Sequence, residues 1–425
     1  MPINDISKTQ ISENVFLHYI NDKKHKTDYC HIYFSFPATE ESVTKAELLK
    51  RVLIRGSKEF PTQAALNEAL DMNYASAVSF STAKESDKIA FVISLSTMKE
   101  AFAMRGERIF ERALYIAMSL LKNPLTENGG FLNEYMESEK RNQRDDIRSQ
   151  INNKGVYSKI RFISKMFEGE PYAINPKGSE EILEGLDGVT LYRFLLEILS
   201  TADCNIFFVG EVDQGEVLSL FKGHFENVER RVPKAIPSFE KRMHTPPVTF
   251  EESLDINQSH LWFGFRAPVL FSHPDYLKFA LFNMVLGGDV SSRMFMNIRE
   301  KLSLCYTCYS GLDGARGALF AYAGIDKDNF EKTKEAFFRE LEKIRAGEID
   351  ESELDDAKRA FANRMREIED NPSYLAPWLY PRLNTPRLPE RDAEEIQKLG
   401  VSDVVEAAGL ITLDTIYFLT SRGDV

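Results

Sequence analysis

Residues 31–38, HIYFSFPA, return in the second part of the chain as residues 260–267, HLWFGFRA. Both octapeptides contain three aromatic residues among Phe, Tyr and Trp, which favour strands. Each follows a strand-like segment and precedes a helical one. These flanking segments are 15–20 and 44–54 in the first copy, and 248–254 and 274–286 in the second.

The repetition continues to the ends of both copies. Residues 179–182, SEEI, correspond to residues 393–396, AEEI, and each leads through a helix into a last strand. The intervening segments predict two strands and then two long helices in each copy: 76–82, 88–95, 98–121 and 130–150, then 305–312, 318–325, 329–346 and 351–368. A repeat that persists over so many elements predicts two homologous halves. The predicted fold class is α+β, with an antiparallel or mixed β-sheet covered by helices in each half.

A segment rich in charge and proline separates the two copies. Residues 230–247 are therefore predicted to be a linker between an N-terminal half, 1–229, and a C-terminal half, 248–425.

Composition excludes several classes of function. The 425 residues carry a net charge of −12, which argues against nucleic-acid binding and against adhesion to anionic membranes. No N-terminal apolar segment reads as a secretion signal, and no apolar run approaches the roughly 18 residues of a membrane span. Four cysteines in so long a chain do not form a disulfide framework, so a cytoplasmic location is expected.

Two of the cysteines form a CxxC motif, Cys305 and Cys308, within a predicted strand. An odd offset on a regular strand points two side chains to opposite faces. With neither a second CxxC nor a nearby histidine, the motif favours an ordinary structural role over a zinc or redox site.

Residues 47–57, ELLKRVLIRGS, have an apolar stripe at helical spacing and charges on the other face, as ordinary amphipathic helices do. Glu47 and Arg51 lie one helical turn apart, and an exposed pair of this kind contributes roughly 0.2–0.5 kcal/mol. Arg51 has no lone pair for a metal, and Lys50 as an ammonium is not a general base. The sequence therefore predicts that this helix holds no metal.

The same stretch, with Arg55, Gly56 and Ser57 after the apolar run, resembles the opening helix of the insulinase-like (pitrilysin-type) zinc peptidases. That family has His-x-x-Glu-His where this chain has Glu47, Lys50 and Arg51, so the resemblance implies a degenerate zinc motif. It also implies the family's clamshell arrangement of two halves. The family's third zinc ligand would lie in the acidic helix 134–148, where Glu137 and Glu139 are the nearest carboxylates.

The resemblance extends to the second half. Residues 286–295, LGGDVSSRMF, are similar to the family's glycine-rich loop, which implies substrate contacts from four residues: Gly287, Gly288, Ser291 and Ser292. Residues 299–306, REKLSLCY, are similar to the segment whose Arg and Tyr reach a substrate carbonyl beside the zinc, here Arg299 and Tyr306. The alternatives are a helix C-cap at the glycines, an Arg299–Glu300 surface pair and packing of Tyr306 in the sheet.

As the resemblance implies, the chain would be the non-catalytic subunit of a heterodimeric zinc metallopeptidase that encloses and cleaves peptides. A homologous zinc-binding peptidase subunit would bring the metal and the base, while this chain would hold no cofactor. Two alternatives remain open. One is a structural or peptide-holding protein, like the respiratory-complex core proteins of this fold. The other is a homodimer that captures peptides without cutting them.

Overall fold

The computed structural model describes residues 6–226, 228–233, 235 and 243–422. Positions 234 and 236–242 of the predicted linker lie outside the described residues. The chain forms two units, and each contains a segment from the other half. Gln150–Ala173 belongs to the second unit, and Pro372–Tyr380 belongs to the first. The observed units are therefore discontinuous in sequence, whereas the predicted halves, 1–229 and 248–425, are continuous.

The first unit is built on a six-stranded mixed sheet with the order β1-β2-β8-β3-β5-β4. Only the β2–β8 pair is parallel, and β4 and β1 are the two edges. A two-stranded ribbon, β6 with β7, stands apart from it. The strands are β1 Ile6–Ser12, β2 Val15–Asn21, β3 Thr27–Pro37, β4 Ala77–Glu85, β5 Lys88–Met98, β6 Thr126–Glu127, β7 Gly130–Phe131 and β8 Asp203–Gly210.

The second unit is built on a five-stranded sheet with the order β11-β12-β10-β13-β9, in which only β13 and β9 are parallel. Omitting β1, this order and these directions equal those of the first sheet. The prediction of two homologous α+β halves with mixed sheets is confirmed. The strands are β9 Val248–Leu254, β10 Ser259–Arg266, β11 Cys305–Asp313, β12 Ala318–Ile325 and β13 Thr412–Ser421.

Helices cover one face of the first sheet. Leu48, Phe110 and Leu195, from three different helices, share one hydrophobic cluster with Ile32 and Phe34 of β3. The helices of this unit are α1 Glu40–Leu53, α2 Gln63–Asp71, α3 Ile109–Lys122, α4 Asn133–Ser149, α6 Glu180–Glu184, α7 Gly188–Thr201, α8 Gln214–Phe225 and α12 Leu375–Leu379.

Helices cover the second sheet in the same way, as the stacked rings of Phe263 and Phe337 show, with centroids 4.3 Å apart. Within the described part of the chain, no helix is long and apolar enough to cross a bilayer. The helices are α5 Lys154–Met166, α9 Tyr276–Asn283, α10 Phe330–Arg345, α11 Glu351–Asp370, α13 Pro389–Ile396 and α14 Val401–Leu410, with π-helical turns at Met284–Gly288 and Met294–Lys301.

The exchanged segments cover the other face of each sheet. Side chains alternate between faces along a strand, so Tyr33 points away from Ile32 and Phe34. Tyr380 stacks on Tyr33, with ring centroids 4.0 Å apart. Trp262, the repeat counterpart of Tyr33, stacks on Phe162 of α5 at 5.3 Å. Each sheet therefore completes its core with aromatic residues that the sequence assigned to the other half.

One predicted helix begins later than the sequence pattern indicated. The helix expected over 98–121 starts at Ile109, because β5 runs to Met98 and a 3-10 turn follows it. Gly106 has φ +72°, which a right-handed helix does not accommodate. Strand β1 was not predicted, because apolar and polar residues do not alternate along its sequence. In the structure, most of its residues are half-buried.

The expectation that Cys305 and Cys308 point to opposite faces is wrong. Strand β11 carries a β-bulge, since the register against β12 advances by one partner residue between Cys305 and Thr307. Tyr306 and Thr307 are both exposed, whereas both cysteines are buried. The extra residue in the bulge thus brings the two thiols to the same face.

Candidate functional site

Helix α1 presents the degenerate motif on the side away from the core. Thr39 caps the helix, with its hydroxyl accepting from the Ser42 amide while Ser42 accepts from the Thr39 amide. Leu48 and Leu49 are buried in the core. This orientation turns the helix face of Glu47 and Arg51 towards β4, α4 and the segment before α6.

Glu47 is the most buried member of the motif, with 1% of the residue exposed. Its Oε1 atom accepts hydrogen bonds from Lys50 Nζ at 2.7 Å and from the hydroxyl of Thr82 on β4. Lys177 Nζ lies 3.7 Å from Oε2. The predicted pairing of Glu47 with Arg51 is wrong, because Lys50 and Lys177 already surround this carboxylate.

Arg51 turns instead to helix α4, where its Nη2 atom donates to Asp146 Oδ2. Arg55, two residues after the end of α1, donates from Nε to Glu139 Oε1 at 2.6 Å. Asn142 donates to the other oxygen of Glu139 at 3.0 Å. Arg51 of α1 and Arg55 just after its end thus hold two carboxylates of α4, Asp146 and Glu139.

The α4 carboxylate that contacts Arg51 is that of Asp146, not Glu137 or Glu139. Glu137 is exposed over 53% of its side chain and lies 3.9 Å from Lys140. Asp146 follows Glu139 by two helical turns, so both lie on one face of α4. The seven-residue spacing is visible in the sequence. That Asp146 pairs with Arg51 becomes clear only from the structure.

Four cations and three carboxylates therefore form what we call the ion-pair cluster: Lys50, Arg51, Arg55 and Lys177 with Glu47, Glu139 and Asp146. Burial lowers the pKa of Lys50, and the adjacent Glu47 carboxylate opposes that shift. Zinc requires imidazole, thiolate or carboxylate ligands, and ammonium and guanidinium groups supply no lone pair. These residues do not fit a zinc ion. Within the described ranges, no three His, Cys, Asp or Glu side chains are grouped to hold a metal.

Strand β4 borders the ion-pair cluster and is an edge of the first sheet. Its contact with the cluster is the hydrogen bond from Thr82 to Glu47. Along its other side, main-chain groups have no strand partner in the sheet. An extended peptide adds to such an edge through main-chain hydrogen bonds. The structure thus places Glu47 of α1 next to an edge of the first sheet.

Arg299 and Tyr306 lie in the second unit, where both are accessible. Arg299, on the π-helical turn, pairs with Glu300 at 3.3 Å and lies over the Phe295 ring at 4.4 Å. Tyr306 is 60% exposed, and its hydroxyl donates to Asp326 at 3.2 Å. That hydrogen bond raises the pKa of Tyr306. The tyrosine projects from the bulge of β11 instead of packing in the sheet.

The glycine-rich segment is a π-helical turn, not an extended loop. A Cβ atom on Gly287 would lie 2.7 Å from the Ser310 amide nitrogen, and one on Gly288 would lie 2.9 Å from Met284 Sδ. Packing therefore requires Gly287, which faces a backbone atom, whereas the atom nearest to Gly288 belongs to a flexible methionine side chain. Ser291 caps the turn after them by donating from its amide and its hydroxyl to Asp289.

Ser292 is buried beside this turn, with 2% of the residue exposed. A polar cleft of about 560 Å³ opens next to Gly288 and Ser291. Helix α11 forms its other wall with Arg359, Asn363 and Arg364. Of the four predicted substrate-contact residues, the structure places Gly288 and Ser291 at an open surface and encloses Gly287 and Ser292.

Comparison with known proteins gives a consistent result. Residues 190–361 match the family described as the peptidase M16 inactive domain. The chain is 27% identical over 404 residues to the probable inactive metalloprotease YmfF of Bacillus subtilis (strain 168), covering 95% of both chains.

Two solved structures have the same fold. A conserved protein from Enterococcus faecalis V583 superposes with a TM-score of 0.90 at 24% identity, over 99% of this chain and all of that one. A peptidase M16 inactive domain from Pseudomonas fluorescens superposes with a TM-score of 0.82 at 18% identity, over 99% of both chains.

Proposed function

We propose that this chain, which belongs to the insulinase-like (M16) peptidase family and lacks that family's zinc motif, is the non-catalytic subunit of a two-chain zinc peptidase. A homologous subunit with an intact His-x-x-Glu-His would bring the metal, its bound water and the glutamate base. This chain would bring Arg299, Tyr306 and an edge strand for the peptide. It has no metal-dependent step of its own.

The ion-pair cluster is the observation that carries the proposal. The fold keeps helix α1, its partner helix α4 and the edge strand β4, but cations occupy the place where zinc would lie. On this proposal, the chain has elements that can bind a peptide and lacks the metal site that would cleave it. Glu47 and Glu139 are both buried and bonded to cations. Such pairs maintain the local structure in the absence of a metal, because each buried charge has a partner.

The geometry of Arg299 and Tyr306 supports their role as donors to a bound substrate. The ion pair of Arg299 is with the half-exposed Glu300, and surface pairs of this kind contribute about 0–1 kcal/mol. Tyr306 is bonded to Asp326 at the surface. Both donors can therefore turn to a carbonyl oxygen at small cost. Guanidinium and phenol groups aimed at a developing oxyanion lower the barrier to its formation.

The test is reconstitution with a zinc-binding sister subunit, followed by kinetics on a peptide. Arg299→Ala and Tyr306→Phe are each expected to lower kcat roughly 10²–10³-fold without preventing assembly, the usual effect of removing one oxyanion donor. Arg339→Ala and Tyr374→Phe are matched controls at exposed positions, and both should keep the parent rate.

Size measurement with and without the sister subunit separates this proposal from the alternatives. A complex that forms and loses turnover in the two variants supports it. Full turnover in the Arg299→Ala, Tyr306→Phe double variant contradicts it. A chain that pairs only with itself would favour a homodimer that holds peptides.

A further inference from the structure

Cys305 and Cys308 form a dithiol at the edge of the second sheet. The bulge places both on one face of β11, with 6% and 8% of each residue exposed. The other cysteines, Cys30 and Cys204, are each 0% exposed in the core of the first unit. Only the Cys305–Cys308 pair therefore combines mutual contact with a route to solvent.

The two thiols are chemically unequal. Cys308 donates a hydrogen bond to Cys305, which lowers the pKa of Cys305, and the Arg299 guanidinium lowers it further, while burial opposes both effects. The same hydrogen bond, with burial, raises the pKa of Cys308. A thiolate is the nucleophile in sulfur chemistry. Cys305 is therefore the attacking sulfur, and Cys308 is the one that reacts second.

The distance between Cys305 and Cys308 across the bulge would give a strained disulfide bond. Cys305 pairs with Ile325 and Cys308 pairs with Ala323, so the cysteines are two rungs apart, roughly 7 Å at about 3.4 Å per residue. Disulfides join residues whose Cα atoms are about 4.4–6.8 Å apart. Strand β11 has a neighbour on one side only, so a small shift can close this gap. Strained disulfides are the more readily reduced ones.

We propose that Cys305 and Cys308 are a reversible modification site, oxidised by a hydroperoxide to a disulfide that spans Tyr306 and Thr307. In the first step, Cys305 sulfur bonds to a peroxide oxygen as the O–O bond breaks, giving a sulfenic acid and releasing water or an alcohol. In the second step, Cys308 sulfur bonds to Cys305 sulfur as the S–O bond breaks, and water leaves. The two thiols lose two protons and two electrons in all, which the peroxide receives. A small-molecule thiol reverses the change by exchange.

The disulfide would alter the segment that carries Tyr306. Closing the gap between its neighbours changes the bulge and moves the phenol away from Asp326, to which it is bonded at 3.2 Å in the dithiol form. This consequence for activity rests on the proposed function, whereas formation of the disulfide does not.

The first experiment is mass spectrometry of the intact full chain treated with hydrogen peroxide, followed by peptide mapping. The expected result is the loss of two hydrogen atoms and a crosslink between Cys305 and Cys308, reversed by glutathione. Cys305→Ser and Cys308→Ser should abolish the loss, and Cys30→Ser and Cys204→Ser should preserve it. Absence of the crosslink in the folded parent chain, or stable oxygen adducts in its place, overturns the proposal.

The second experiment measures turnover of the reconstituted pair before and after the same treatment. Oxidation should lower kcat several-fold in the parent and leave the Cys305→Ser, Cys308→Ser double variant unchanged. A crosslink without a change in kcat would disprove the link to Tyr306 and leave the modification site intact. If Tyr306→Phe itself has no effect on kcat, the proposed function fails while the mass result still stands.

Discussion

Arg51 of helix α1 donates a hydrogen bond to Asp146 of helix α4. Under the proposed function, Arg51 stands at the position of the second histidine of the zinc-binding subunits. A guanidinium there carries the positive charge that a metal would otherwise supply to the carboxylate. On the same proposal, Asp146 is a ligand-type side chain of α4 next to that position.

Restoring the motif should therefore restore a metal site. The triple variant Glu47→His, Lys50→Glu, Arg51→His is expected to bind one zinc ion per chain, with Asp146 as the carboxylate ligand, while the parent chain binds none stoichiometrically. Metal analysis after dialysis against a buffered zinc solution measures this. Adding Asp146→Asn should abolish the gain. Equal zinc in the triple and quadruple variants would show that another carboxylate completes the site.

The pair between Arg55 and Glu139 should be important for stability. Only 6% of the Glu139 side chain is exposed, so Arg55→Met leaves a buried carboxylate with Asn142 as its remaining donor. Removing one partner of a buried pair costs about 3–5 kcal/mol, and denaturant unfolding measures the loss.

The control for this change is an exposed pair made by α4, the helix that also carries Glu139. Arg148 contacts Glu180 with 63% of its side chain exposed. Arg148→Met should lower the free energy of unfolding far less than Arg55→Met does, because solvent screens the exposed pair. Similar losses in the two variants would mean that Glu139 is not effectively buried.

The glycine-rich turn yields a prediction about packing. Gly287→Ala places a Cβ atom 2.7 Å from both Met294 Sδ and the Ser310 amide nitrogen. Overpacking against a backbone atom should cost about 1–3 kcal/mol in the free energy of unfolding. Gly311→Ala is the matched control, because its Cβ would meet nothing within 4 Å, and it should change stability by less than about 0.5 kcal/mol. A stable Gly287→Ala variant would contradict the packing role and favour one in contact with peptide.

The sequence predicted those features that depend on local pattern or on repetition. The strands and the order of elements in both halves follow from patterns of apolar and polar residues. These patterns are local, because each depends on residues that are close together in the sequence. The position of Asp146 beside Arg51 depends on how α4 packs on α1, and no pattern within either helix indicates it. The aromatic contacts of Tyr380 with Tyr33 depend likewise on a segment distant in sequence. The bulge at Tyr306 inserts one residue without any glycine or proline to mark it.

The first residue of the repeated octapeptide gives a prediction about pH. His31 is buried on β3 and contacts the Ser94 hydroxyl at 3.0 Å, and burial lowers its pKa to about 4. In the unfolded chain a histidine has a pKa of about 6.5, so the unfolded state binds the extra proton between these two values. The contribution of the neutral His31 to the free energy of unfolding is therefore fully present above pH 6.5. It declines as the pH drops towards 4, by up to about 1.4 kcal/mol per pH unit. Urea unfolding of His31→Gln across this range should show a shallower decline than the parent, whereas the exposed His273→Gln should follow the parent. Parallel declines in all three proteins would mean that His31 does not titrate in this way.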